Sequence, residues 1–116
     1  SMIAVSESFA MAEKLGLSAQ NLFDITSSSS SQCWAMTSYL PVPGPVPSSP
    51  ANRDYMPGFT AAMMAKDMNL ARDAADSSGQ RAELANSALK MYEKFLEQGG
   101  ASQDFSAIYK MISNSS

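Results

Sequence analysis

Residues 33–67 open on Cys33-Trp34 and continue through Tyr39-Leu40-Pro41-Val42-Pro43-Gly44, Asn52-Arg53-Asp54-Tyr55 and Gly58-Phe59 to Lys66-Asp67. All six prolines of the chain fall between Tyr39 and Gly58. Proline cannot donate a backbone hydrogen bond or continue a helix, so these residues predict an extended loop between two helical stretches. Tyr39, Val42, Val46 and Tyr55 are interleaved along it as apolar anchors that a disordered segment would not need, and the loop is expected to lie over the helices.

Outward from the loop, the pattern is helical on both sides. Ile3 to Leu15 spaces Val5, Phe9, Ala12 and Leu15 for one helix face, with Gly16 as a left-handed stop. It begins without a capping residue, which predicts a helix whose start lies upstream. Ser18 is the expected N-cap of a second helix carrying Leu22, Phe23 and Ile25. That helix fades into Ser27 to Ser31, a glycine-free run that predicts a tight bend rather than a flexible linker. Beyond the loop, Thr60 to Ser77 predicts a long helix ended by Gly79, with Met63, Met64, Met68, Leu70, Ala71, Ala74 and Ala75 as its apolar stripe. Ala82 to Gln98 predicts the next, with Ala85, Ala88, Leu89, Tyr92, Phe95 and Leu96 inward and Gly99-Gly100 as the stop. A short helix after Ser102 places Phe105, Ile108, Tyr109 and Ile112 on one side. No period-two pattern of useful length occurs, so the expectation is an all-α domain over residues 1–116.

Composition narrows the classes of function. The chain has 116 residues, 45% hydrophobic and 16% charged, a globular balance with a modest core. A net charge of −3 with no Lys/Arg cluster argues against nucleic acid and anionic membrane surfaces. The single cysteine, Cys33, excludes an internal disulfide, and the absence of histidine removes the ordinary zinc site and the Ser-His or Cys-His pair. No run approaches the ~18 apolar residues of a membrane span.

Asp67 stands out among the charged residues. Lying four after Met63 and three before Leu70, it is expected on the apolar face of its helix, where a carboxylate needs a partner. A structural ion pair and a groove wall both satisfy that need. Lys66, beside Asn69, Asp73 and Asp76, reads from composition as a solvated lysine. Trp34 and Tyr39 read as core aromatics. Arg53 either pairs with Asp54 or meets a carboxylate.

The order and spacing of Cys33-Trp34, the Tyr39 proline segment, Gly58-Phe59 and Lys66-Asp67-Met68-Asn69-Leu70-Ala71 together resemble the C-terminal helical domain of the 3-hydroxyisobutyrate dehydrogenases. These belong to the wider β-hydroxyacid dehydrogenase family. The resemblance runs from Glu13-Lys14-Leu15-Gly16-Leu17 to Asp104-Phe105-Ser106. It implies a fold like that domain in 6-phosphogluconate and 3-hydroxyisobutyrate dehydrogenases, truncated at its first long helix. The dinucleotide-binding domain and the principal catalytic lysine would lie upstream, so no catalytic residue is expected here; no G-x-G-x-x-G follows a strand in this chain. Trp34 and Tyr39 would face the substrate, and Lys66, Phe59 and Asp67 would meet the cofactor, NAD or NADP. No metal is implied.

The implied reaction is oxidation of 3-hydroxyisobutyrate to methylmalonate semialdehyde in valine breakdown, with this portion inactive alone. Its implied partners are a small β-hydroxyacid, its own dinucleotide-binding domain and further copies of itself. The implied setting is the cytoplasm, or the mitochondrial matrix in a eukaryote. Two alternatives stand beside this reading: a tartronate or succinic semialdehyde reductase, and a free-standing helical interaction domain.

Overall fold

Helix α1 (Met2–Lys14) buries Met2, Val5, Phe9 and Ala12 along one side, whereas Leu15, expected on the same face, lies just past the helix end and is exposed. That side packs against α6 (Ile108–Ser113), whose Ile108 is fully enclosed. The C-terminus of α1 closes on Gly16 at φ +85°, with Gly16 N–H donating to Glu13 O and Leu17 N–H to Ala12 O. This paired arrangement satisfies carbonyls that the helix end would otherwise leave open. The computed structural model describes residues 1–114. Two compact units account for them, Ser1–Met56 with Ser106–Ser116, and Pro57–Phe105.

In the first unit α2 (Ala19–Thr26) starts at Ser18, whose Oγ accepts the N–H of Asn21 at 3.1 Å. The serine run is a bend, as expected. Ser29 donates both its N–H and its hydroxyl to Thr26 O, and the Gln32 amide reaches Thr37 Oγ1, which leads the chain into α3 (Trp34–Thr37).

The proline loop is built rather than loose. Leu40, Pro41 and Pro50 are fully buried. The Tyr55 hydroxyl donates to Pro41 O at 2.6 Å, and the Lys110 ammonium sits 4.9 Å from the Tyr55 ring centre. Asn52 ties the loop to itself: its Oδ1 accepts Gly44 N–H at 2.9 Å, and its Nδ2 donates to Val46 O at 2.8 Å and to Ser49 Oγ at 3.1 Å. Asp54 and Tyr55 follow a 3₁₀ turn (Pro50–Arg53) at φ 55° and 56°. Left-handed backbone costs about 1 kcal/mol or more per non-glycine residue, so contacts such as Tyr55 N–H to Pro50 O at 2.8 Å must hold it there. Arg53 donates to Ser48 O, and among the described residues it forms no ion pair with Asp54.

The second unit pairs α4 (Ala61–Ser78) with α5 (Glu83–Phe95). Thr60 Oγ1 caps α4 by accepting Met63 N–H, and Gly79 ends it at φ +74°. The expected stripe of α4 is corrected. Ala61 and Ala65 are buried and Met64, Met68, Arg72 and Ala75 half-buried, whereas Met63 is 50% and Leu70 59% exposed. Asp67, framed by those two, therefore faces solvent instead of the core. Alanine carries too little hydrophobic signal to outvote methionine and leucine on a helical wheel, yet its small size is what lets α4 approach its neighbour closely. Helix α5 buries Leu89, Tyr92 and Phe95. It then widens into a π turn (Leu96–Gly100) instead of running on to Gln98. A side chain at Gly100 would collide with the Phe95 ring.

Asp104 closes this unit. Its carboxylate is fully buried, and Oδ1 accepts the N–H groups of Gly58 at 2.9 Å and Phe59 at 3.1 Å. Around it, Ala61 N–H donates to Gln103 O, Phe105 N–H donates to Phe59 O, and Thr60 forms an isolated antiparallel bridge with Asp104. The Phe59 and Phe105 rings meet edge to face at 5.8 Å, and the Tyr92 hydroxyl donates to Phe105 O. No strand occurs among the described residues. Removing the carboxylate strands two N–H groups, so Asp104→Ala is expected to lower unfolding free energy by about 2–4 kcal/mol and Asp104→Asn by less. Urea denaturation checks this; a loss below about 0.5 kcal/mol for Asp104→Ala contradicts the clamp.

Candidate functional site

In the first unit Trp34 and Tyr39 stack, with ring centres 5.0 Å apart and planes 21° from parallel. Buried Leu40 anchors the chain directly after Tyr39, while Ala35 and Met36 anchor α3 directly after Trp34. The two rings are thereby held together although Trp34 is 60% exposed. Trp34 is a surface aromatic rather than a core one, and Tyr39 is half-buried beneath it. A wide apolar face open to solvent is well suited to meet a ligand or a neighbouring domain.

Phe59, Lys66 and Asp67 lie in the second unit. Phe59 is half-buried against Phe105, at the point where Asp104 clamps the chain into α4. Lys66 and Asp67 are exposed on the second turn of α4, and among the described residues neither enters an ion pair. Lys66 is an exposed cation on a rigid helix, a sound donor for a phosphate or carboxamide oxygen. The Asp67 charge beside it prevents that turn from being a broad basic patch.

Sequence reasoning missed Asp104, Asn52 and the pair Glu13–Tyr109. The Tyr109 hydroxyl donates to Glu13 Oε2 at 3.0 Å. Both line a cleft of about 440 Å³ with Phe9, Leu17, Val42 and Pro43, and none of the expected site residues borders it. Nothing in the spacing of residues 13 and 109 flags their meeting. Burial pushes the Tyr109 hydroxyl up to about 12, helped by its bond to Glu13 and the Glu13 charge. Burial likewise pushes Tyr55 up to about 12, with smaller contributions from Tyr109 and Asp54. Tyr92 is raised by burial first and by the Asp104 charge second. Among the described residues no cluster of His, Cys, Asp and Glu could hold a metal ion, and no helix is long and apolar enough to cross a membrane.

Residues 1–112 match the family model described as the NAD-binding part of NADP-dependent 3-hydroxyisobutyrate dehydrogenase. The chain belongs to this family. It is 51% identical over 106 residues to the probable 3-hydroxyisobutyrate dehydrogenase of Mycobacterium tuberculosis, an alignment that covers 91% of this chain and 36% of that protein. It is 42% identical to the mitochondrial 3-hydroxyisobutyrate dehydrogenase of Drosophila melanogaster, over 97% of this chain and 35% of the relative. With the NAD-dependent L-serine dehydrogenase of Pseudomonas aeruginosa it shares 41% identity, over 96% of this chain and 37% of that one. The solved Mycobacterium tuberculosis 3-hydroxyisobutyrate dehydrogenase with L-serine superposes with a TM-score of 0.91 at 49% identity, covering 96% of this chain and 38% of that one. The chain thus spans little more than a third of the length of these relatives.

The family match corrects the expected fold label. The 3-hydroxyisobutyrate dehydrogenase part that matches is described by nucleotide binding, not as a C-terminal helical domain truncated at its first long helix. That label rests on the order of a few short motifs, which carries relatedness and not position within a longer polypeptide. The lack of a glycine-rich phosphate loop also decides less than it suggests, since a charged helix face can meet a nucleotide without one.

The raised tyrosines set a pH dependence. Their folded values exceed the free value near 10, so the stability they contribute is complete below about pH 10 and is lost as pH rises through about 12. Thermal melts should show the midpoint falling across that window, less steeply in Tyr109→Phe. A Tyr109→Phe profile as steep as the wild type contradicts the assignment.

Proposed function

We propose that this chain is the helical, cofactor-facing part of an NAD-dependent 3-hydroxyisobutyrate dehydrogenase. It works with a separate dinucleotide-binding part of the longer protein and does not turn over alone. The observation that carries this reading is the match of residues 1–112 to a family described by NAD binding. The identity to 3-hydroxyisobutyrate dehydrogenases from bacteria and animals supports it.

A bound nicotinamide would supply the hydride acceptor for oxidation of 3-hydroxyisobutyrate at its hydroxyl-bearing carbon, the products being methylmalonate semialdehyde, NADH and a proton. The residues of this chain bind and orient. Lys66 would donate toward an oxygen of the cofactor, with Asp67 beside it on the same turn of α4. Phe59 supplies an apolar wall, fixed by its contact with Phe105 and by the Asp104 clamp. Trp34 and Tyr39 shape the acid pocket, with the Tyr39 hydroxyl meeting the substrate. An exposed Trp34 stacked on half-buried Tyr39 and an exposed lysine on a helix support these tasks. The setting proposed is the cytoplasm, or the mitochondrial matrix in a eukaryote.

A second reading takes L-serine as the substrate, also a short β-hydroxyacid. It is favoured by the name of the Pseudomonas aeruginosa relative and by the L-serine that accompanies the solved Mycobacterium tuberculosis enzyme.

Steady-state NADH formation by the full-length protein on both acids separates the two. The first reading expects the higher kcat/KM on 3-hydroxyisobutyrate, and a higher value on L-serine reverses the order. Lys66→Ala should lower kcat/KM by about 10- to 100-fold with the fold retained, in line with loss of one charged donor. A variant as fast as the wild type removes Lys66 from the site.

A further inference from the structure

The cleft of about 440 Å³ in the first unit is bordered by none of the residues proposed to meet substrate or cofactor. Its walls are set without a ligand. Phe9 and Tyr109 are buried, and they come from α1 and α6, which pack together. Val42 and Pro43 lie between Pro41, whose carbonyl accepts the Tyr55 hydroxyl, and Gly44, whose N–H is held by Asn52. Leu17 follows the closed end of α1, where its N–H donates to Ala12 O.

One charged residue borders this apolar lining. Glu13 is exposed, and the Tyr109 hydroxyl donates to its Oε2 at 3.0 Å, while among the described residues its Oε1 accepts no hydrogen bond. No lysine or arginine lines the cleft. Burial pushes the Tyr109 hydroxyl up to about 12, so the tyrosine keeps its proton and orients the Glu13 carboxylate without cancelling its charge.

We propose that this cleft binds a small organic amine, with its ammonium on Glu13 and its apolar body along Phe9, Leu17, Val42 and Pro43. An ammonium carries three donors and no acceptor, which suits a lining whose polar side chains beside Tyr109 are Glu13, Ser18 and Ser113. A carboxylate ligand would be repelled by the Glu13 charge. A neutral alcohol would keep the apolar contact but lose the charge-assisted hydrogen bond. The volume lies toward the small end of ligand sites, so a body of a few carbons suits it. Because Glu13 is exposed, solvent and salt screen the attraction, and binding is weak and salt-sensitive. This inference is independent of the proposed enzymatic activity.

Amide chemical-shift titration of the full-length protein with n-butylammonium chloride tests it, with sodium butyrate and sodium chloride at matched ionic strength as controls. Saturable shifts should appear at residues 13, 17–19, 42–44 and 109–113, with a dissociation constant on the order of 1 mM that rises with salt. Butyrate should leave these residues unmoved. Glu13→Gln keeps an oxygen for the Tyr109 hydroxyl but removes the charge, and should weaken binding about tenfold. Ala19→Phe keeps the charge but enlarges a lining side chain, and should weaken binding by a similar factor, about tenfold. Circular dichroism confirms that each variant stays folded, and either one that does so carries the test. No saturable shift at these residues by about 50 mM amine overturns the proposal. Equal shifts from butyrate, or a folded variant that binds as tightly as the wild type, overturn it as well.

Discussion

The buried carboxylate of Asp104 is the constraint on which the second unit depends. Gly58 and Phe59 lead into α4, and one carboxylate oxygen accepts both of their N–H groups. The same contact fixes where α4 begins, and with it the direction in which every α4 side chain points. Lys66 and Asp67 are exposed because the helix enters in that phase. Phe59 is half-buried because its ring closes on Phe105 while its N–H is held by the residue just before Phe105 in sequence. A charge in the interior is tolerable only with such partners, so the clamp is a requirement of folding that also orients the face proposed to meet a nucleotide.

The first unit solves a comparable problem with neutral groups. A loop rich in proline has few backbone donors of its own, so Asn52 and the Tyr55 hydroxyl supply the missing bonds, and Leu40, Pro41 and Pro50 supply burial. The strained backbone at Asp54 and Tyr55 is held by those contacts. The Trp34–Tyr39 stack rests on this anchoring, since buried Ala35-Met36 follow Trp34 and buried Leu40 follows Tyr39. Two aromatic rings kept in fixed register give a pocket wall a defined shape without loss of entropy on binding.

Much of this is legible in the residues. Gly16, Ser18, Thr60 and Gly79 mark helix ends by backbone and capping chemistry that acts locally, and each does so in the structure. The six prolines mark the loop for the same reason. What escapes a reading of the sequence is set by long-range packing. Asp104 meets Gly58 and Phe59 across more than 40 positions, Glu13 meets Tyr109 across 96, and no periodicity encodes either meeting. The phase of α4 is misleading in the sequence because its contact face is built on Ala61 and Ala65, while its larger apolar side chains Met63 and Leu70 are turned outward. Those outward residues flank Lys66 and Asp67, and an apolar surround for a charged pair is what a cofactor-facing helix would present.

The most direct test of the central claim is amide chemical-shift mapping as NADH is added to the full-length protein. Shifts concentrated on residues 58–71, with the Lys66 amide among the largest, are the result this account predicts. Shifts confined to the part of the protein outside these 116 residues, with 58–71 unmoved at saturation, would contradict it.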